Sequence, residues 1–106
     1  MSEVCAVNTF RLQEGVSRER FEAFSRDLDR PTCLALDVVL GFEVYLAVGD
    51  DAVVDVVEVM TVSSWEEWET IRDGSPDLVP VVEGFNELVD VDTVTTVLTR
   101  RSPGRD

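Results

Sequence analysis

Within the eight residues Arg26-Asp-Leu-Asp-Arg-Pro-Thr-Cys33 stand two carboxylates, two guanidiniums, a hydroxyl and a thiol. Arg26 can hold a ligand carboxylate while Asp27 or Asp29 moves a proton, the division of labour that general acid–base chemistry needs. The plain alternative is a solvated set of ion pairs, worth little to stability. Both acids fall near a helix C-terminus, where the dipole disfavours negative charge, so Arg26 and Arg30 are the expected compensation. Two carboxylates also suit a divalent cation, but no third ligand stands nearby, and no metal site is expected.

Two more polar residues sit in apolar strands. Glu58 shares a strand face with Val56 and Met60. Burial there raises a carboxyl pKa unless a cation approaches, which makes Glu58 a candidate acid or base. Otherwise it pairs with Arg11 or Arg26, or lies exposed on an edge. Asn8 lies between Ala6 and Phe10 on one face and needs hydrogen-bond partners if buried, either a loop carbonyl or a ligand. Trp65 and Trp68 are three apart, hence neighbours on one helix face, and core packing accounts for them simply. Phe42, Tyr45 and Phe85 add aromatic surface able to line a cavity for a flat apolar ligand. Asp90 and Asp92 repeat the paired-acid spacing before the last strand.

The elements that must position these residues follow from periodicity. Val4 to Leu12 alternates as a strand, Glu14-Gly15 turns, and Ser17 caps a helix from Arg18 with Phe21, Phe24 and Leu28 inward. That helix is expected to end before Pro31, since the residue preceding a proline disfavours helical angles. Thr32 to Leu36 suits one short helical turn. Val38 to Val48 and Val53 to Val62 read as a hairpin around Gly49-Asp50-Asp51, with Leu40, Phe42, Val44 and Leu46 on one face. Ser63-Ser64 caps a helix carrying Trp65, Trp68 and Ile71, which Gly74-Ser75-Pro76 breaks. A further helix spans about Asp77 to Leu88 with Val81, Val82, Phe85 and Leu88 inward. Val91 to Arg100 is the last strand, and the tail from Arg101 is expected to fray. The order strand, helix, strand, strand, helix, strand predicts an α+β, ferredoxin-like sheet with helices on one face. Valines and threonines on both strand faces imply cover from a second copy, a homodimer closing a barrel.

The chain has 106 residues, which suits one domain over 1–106, and 44% hydrophobic residues, which excludes a disordered chain. Its 22 acids against 9 bases leave a net charge of −13, so nucleic acid is repelled. All the bases are arginine, and histidine is absent. Imidazole triads, most zinc sites and Schiff-base chemistry are thereby excluded. The two cysteines, Cys5 and Cys33, show no metal-ligand spacing and read as reduced, packed thiols. No apolar run is long enough to span a bilayer, and Met1-Ser-Glu carries no basic leader, so a cytoplasmic location is expected and no membrane partner.

Several segments together resemble the REDY-like (HapK) family over nearly the whole chain. They are Val7-Asn-Thr-Phe-Arg-Leu12, the arginine–acid–Pro-x-Cys stretch at 26–33, Gly41-Phe-Glu-Val-Tyr45, Asp55-Val-Val-Glu-Val59 and Phe85-Asn-Glu-Leu-Val-Asp90. Arg30 stands where the family commonly has tyrosine, and Asn86 where serine is common. The resemblance implies a dimeric α/β barrel and a cofactor-independent protein of prodigiosin-type or tryptophan-dimer pathways. Such a protein steers cyclisation or condensation of a reactive pyrrole or indole intermediate. On that reading Arg26, Asp27, Asp29 and Glu58 are the catalytic candidates. Asn8 and Tyr45 orient the small aromatic ligand, and Phe42, Trp65, Trp68 and Phe85 form its wall. A cofactor-free monooxygenase on the same fold and a non-catalytic carrier are the rival readings.

Overall fold

The computed structural model describes residues 3–103. The sheet is antiparallel, in the order β2-β3-β1-β4, with β1 (Val4–Leu12) and β3 (Val56–Val62) central and β2 (Val39–Leu46) and β4 (Val89–Thr99) at the edges. Helix α1 (Arg18–Phe24) follows β1, and α3 (Trp65–Gly74) and α4 (Val79–Leu88) follow β3. This is the expected α+β, ferredoxin-like plan. Gly15 takes φ +86°, which a side chain would resist, and turns the chain from β1 towards α1. Ser17 then caps α1 by accepting from the Arg20 N–H, and Ser64 caps α3 by accepting from Glu67. A single 3-10 turn, Pro76–Leu78, separates α3 from α4. Arg101 to Pro103 carry no regular structure, and the rest of the expected frayed tail lies outside the described residues.

Alternation puts Ala6, Phe10 and Leu12 of β1 and Val56, Glu58, Met60 and Val62 of β3 on the buried face. Two clusters fill it. One gathers Phe10, Phe21, Val56, Leu88 and Val89; there Phe10 meets Phe21 and Phe85 edge-on, at centroid distances of 5.5 and 5.2 Å. Each such contact adds about 0.5–1.5 kcal/mol beyond the area it buries. The other gathers Cys33, Val38, Phe42, Met60, Trp68, Leu78 and Val81.

Five expectations are corrected. The first helix does not stop before Pro31: α1 continues through a π-helical turn, Ser25–Asp29, into α2 (Arg30–Leu34), which carries Pro31 in its first turn. In the wide turn the Arg30 N–H reaches back five residues to the Ser25 carbonyl, and a proline just beyond it lacks only a donor that a helix start does not use. The extra residue also rotates the inward stripe, so Asp29 is buried at 4% exposure while Leu28 turns out at 36%. In β2 a register shift between Val39 and Gly41 leaves Leu40 an unpaired, half-exposed bulge instead of an inward residue.

The hairpin is looser than expected. β2 ends at Leu46 and β3 begins at Val56, because two guanidiniums take the intervening carbonyls. Arg18 donates to the oxygens of Ala47 and Gly49, and Arg11 to those of Ala52 and Val53. β4 starts two residues early and then kinks, pairing Asp90 with Arg11 but Thr95 with Thr9. Thr93 spans the kink, accepting from the Arg11 N–H and donating to the Asp90 carbonyl. The Asp90 carboxylate accepts from the Asp92 N–H, so these acids serve the bulge.

Candidate functional site

Between the sheet and α2, α3 and α4 lies a cavity of about 510 Å³, a size common among small-molecule sites. Its floor is polar. Asp29 comes from the end of the π-turn, Cys33 from α2, Glu58 from β3, and Asn8 from β1 directly opposite Glu58. Its walls are aromatic: Phe42 from β2, Trp65 and Trp68 from α3, Phe85 from α4. Exposed Asn86 and Thr96, with half-buried Glu69 and Arg72, also line it. The close seat of α4 on α1 depends on Gly84, where an added Cβ would overlap Cε1 of Phe24.

The floor is wired as a chain. The Cys33 thiol donates to Asp29 Oδ1 at 3.5 Å. Burial, reinforced by the charges of Asp29 and Glu58, raises that thiol far above its usual range, so it stays a protonated donor. Burial likewise pushes Asp29 up to about 6, with the Cys33 hydrogen bond and the Arg30 charge pulling the other way. Glu58 goes further, to about 8, driven first by burial and then by the Asp29 charge, against the opposing pull of the Asn8 amide and Arg30. Its Oε2 is buried and has no hydrogen-bond partner among the described residues. Across the sheet, Thr96 Oγ1 donates to Asn8 Oδ1 at 2.6 Å, which leaves the Asn8 NH2 on the Glu58 side. Arg30 is anchored by its Nε bond to Ser25 Oγ at 3.0 Å.

Such a floor has the groups for acid–base work. Two buried carboxyls that both resist ionisation, Glu58 the more so for the Asp29 charge beside it, can keep a proton where ordinary carboxyls are charged. A carboxyl oxygen without a partner costs free energy until a ligand or a proton satisfies it.

Of the residues singled out from the sequence, the fold brings seven to this cavity: Asn8, Asp29, Phe42, Glu58, Trp65, Trp68 and Phe85. Three lie elsewhere. Arg26 and Asp27 pair with each other at 3.0 Å on the surface, with side chains 62% and 66% exposed. The π-turn that swings Asp29 inward leaves them outside. Tyr45 pairs with Val57, in the register that faces away from the helices, and its hydroxyl donates to Glu43. Glu58 pairs with neither Arg11 nor Arg26 among the described residues; Arg11 is spent on the hairpin carbonyls. Thr96 and Arg72 escaped sequence reasoning. One is a threonine among threonines and the other a surface-patterned helix residue, and neither type carries a signal until the fold gathers it.

The REDY-like protein HapK family matches the chain over residues 4–101. Among solved structures, the crystal structure of HapK from Hahella chejuensis is similar over 97% of this chain and 96% of that one, with a TM-score of 0.80 and 19% identity. A dimeric protein of unknown function and ferredoxin-like fold from Bacteroides fragilis covers 95% and 98%, with a TM-score of 0.72 and 13% identity. A dabb family protein with a ferredoxin-like fold from Mesorhizobium loti covers 97% and 100%, at 0.70 and 14%. No curated protein matches the sequence.

Proposed function

This chain belongs to the REDY-like HapK family, and on that premise we propose that it serves secondary metabolism by steering, without a cofactor, the cyclisation or condensation of a reactive pyrrole- or indole-derived intermediate. The observation that carries the reading is Glu58, a buried carboxyl with one unpartnered oxygen, beside a second buried carboxyl and facing an aromatic-walled cavity. Burial of both carboxyls makes the pair keep a proton above the ordinary carboxylate range. Glu58 donates it to a leaving hydroxyl or basic heteroatom of the ligand, which generates an electrophilic centre. After ring closure Asp29 accepts the proton that the attacked ring carbon releases, so one proton leaves the floor and one returns. Acid–base help of this kind contributes about 10²–10⁴-fold. Asn8, held by Thr96, orients the ligand, and Phe42, Trp65, Trp68 and Phe85 exclude water and confine its ring plane.

We further propose that the protein works as a homodimer. The sheet face away from the helices carries Val7, Val57, Val59 and Val97 in adjacent register, with Val97 53% exposed. A second copy laid on it removes that apolar surface from water.

The test is product analysis of indole- and pyrrole-derived reactive intermediates, generated in place with and without the purified protein. A product ratio shifted with turnover and without oxygen uptake supports steering. Oxygen consumption points instead to the monooxygenase reading. An unchanged ratio across the panel overturns steering and leaves the carrier.

A further inference from the structure

The cavity's charges are one-sided. Asp29, Glu58 and Glu69 line it, against a single base, Arg72. That base is occupied, its Nε and NH2 donating to the two Asp73 oxygens at 2.9 and 3.3 Å, with Glu69 at 3.9 Å. Arg30 lies near the floor but outside the lining and is tethered to Ser25. Arg26, which the sequence offered as a carboxylate clamp, is paired on the surface. An anion entering the cavity therefore meets, among the described residues, no lining cation that lacks a carboxylate partner, inside a chain of net charge −13. A cation meets the unpartnered Glu58 oxygen and the aromatic side chains of Trp65, Trp68 and Phe85, a ring type that attracts positive charge through its quadrupole.

We propose that this pocket selects flat aromatic ligands bearing a positively charged nitrogen, as a protonated amine or an iminium, and rejects their carboxylate counterparts. The selection rests on the reading of the cavity as an aromatic-ligand site, though not on its steering of products. The groups that act on Glu58 are Asn8 from β1 and Asp29 and Cys33 from the helix, with the Arg30 charge opposing the two acids' repulsion. Glu69 and Arg72 of α3 line the same cavity. A cation bound at the floor favours the doubly ionised carboxyl pair, so binding expels the shared proton.

The experiment is titration calorimetry at pH 7 with three probes that share one ring: tryptamine, 3-methylindole and indole-3-acetate. Each is run in two buffers of different ionisation enthalpy, to count protons. Tryptamine is expected to bind at least tenfold more tightly than indole-3-acetate, releasing a substantial fraction of a proton. Glu58→Gln and Asp29→Asn should each narrow the gap and reduce the proton release, and either variant suffices if the other fails to fold. Indole-3-acetate binding as well as tryptamine overturns the proposal. So does an undiminished gap in both variants, or no binding of any probe at millimolar concentration. Tryptamine preference with unshifted products would leave charge selection standing and remove steering; shifted products with no preference would do the reverse.

Discussion

Asp55 and Glu58 are three residues apart in one segment, and the fold treats them in opposite ways. Asp55, at the mouth of the hairpin, is fully partnered. Its Oδ1 accepts from Arg18 Nε and NH2 at 3.2 and 3.0 Å, and its Oδ2 accepts from the Leu12 N–H at 2.9 Å. Partial burial works against its charge, but the Leu12 N–H and Arg18 outweigh it, and its pKa falls below the usual carboxylate range. Glu58, on the inner face of β3, has an unpartnered oxygen, a second acid nearby and a raised pKa. In the first arrangement both carboxylate oxygens are partnered; in the second, among the described residues, one is not. The contrast separates a carboxylate that holds the fold together from one the fold keeps available.

Substitution at the floor should have the largest effect. Glu58→Gln removes the proton donor while keeping the shape, and product steering should fall by roughly 10²–10⁴-fold. Asp29→Asn should cost a comparable factor. Retention of full steering by both variants, measured as product ratio per turnover, would put Glu58 in the same structural class as Asp55.

Next comes the pH dependence of stability, which should have opposite signs at the two sites. Unfolded, Glu58 loses its proton near the ordinary 4.5, and folded it keeps it to about 8. The native state thus binds more protons across that window, and stability falls as pH rises through it. For Asp55 the folded value is lowered, so its contribution is present above the ordinary carboxylate range and is lost as pH falls through the folded value. Thermal melts from pH 4 to 8 should show Glu58→Gln flattening the alkaline decline and gaining Tm at pH 8 over the parent. An unchanged slope would mean that Glu58 is solvated.

Arg18→Ala should be smaller and purely structural. It strips Asp55 of its cation and frees the carbonyls of Ala47 and Gly49, at a cost of roughly 2 kcal/mol in denaturant unfolding. Steering by the folded fraction should be intact; its loss would tie the hairpin lock to the cavity.

The smallest effect sets the zero of the scale. Asp27→Asn alters a surface acid whose lowered pKa comes from its Arg26 neighbour. Neither the melting curve nor the product ratio should move, and a drop in steering would return the surface pair to the mechanism.

Much of this molecule can be read along the chain. Alternation in β1 and β3 located the central strands, and Ser17 and Ser64 marked helix starts where the caps form. The same alternation put Asn8 and Glu58 on the inner face, because a period of two ties residue number to face. Where the period breaks, the reading fails. An unbroken helical stripe points Leu28 inward and gives no ground for choosing Asp29 over Asp27, because a π-turn adds a residue that no local pattern announces. Tyr45 was grouped with the pocket aromatics although its number puts it on the other face from Phe42.

Composition and periodicity determined the class of fold, the exclusion of imidazole and amine chemistry, and the two strand residues that face the cavity. These depend on residue type and on spacing within one element, which are local properties. Tertiary structure alone decided which of four catalytic candidates meet. It brought Asp29 of the helix beside Glu58 of β3, left Arg26 and Asp27 in water, and withheld a partner from Glu58. A carboxyl's proton affinity is set by what surrounds it in space, and here those neighbours come from elements far apart along the chain.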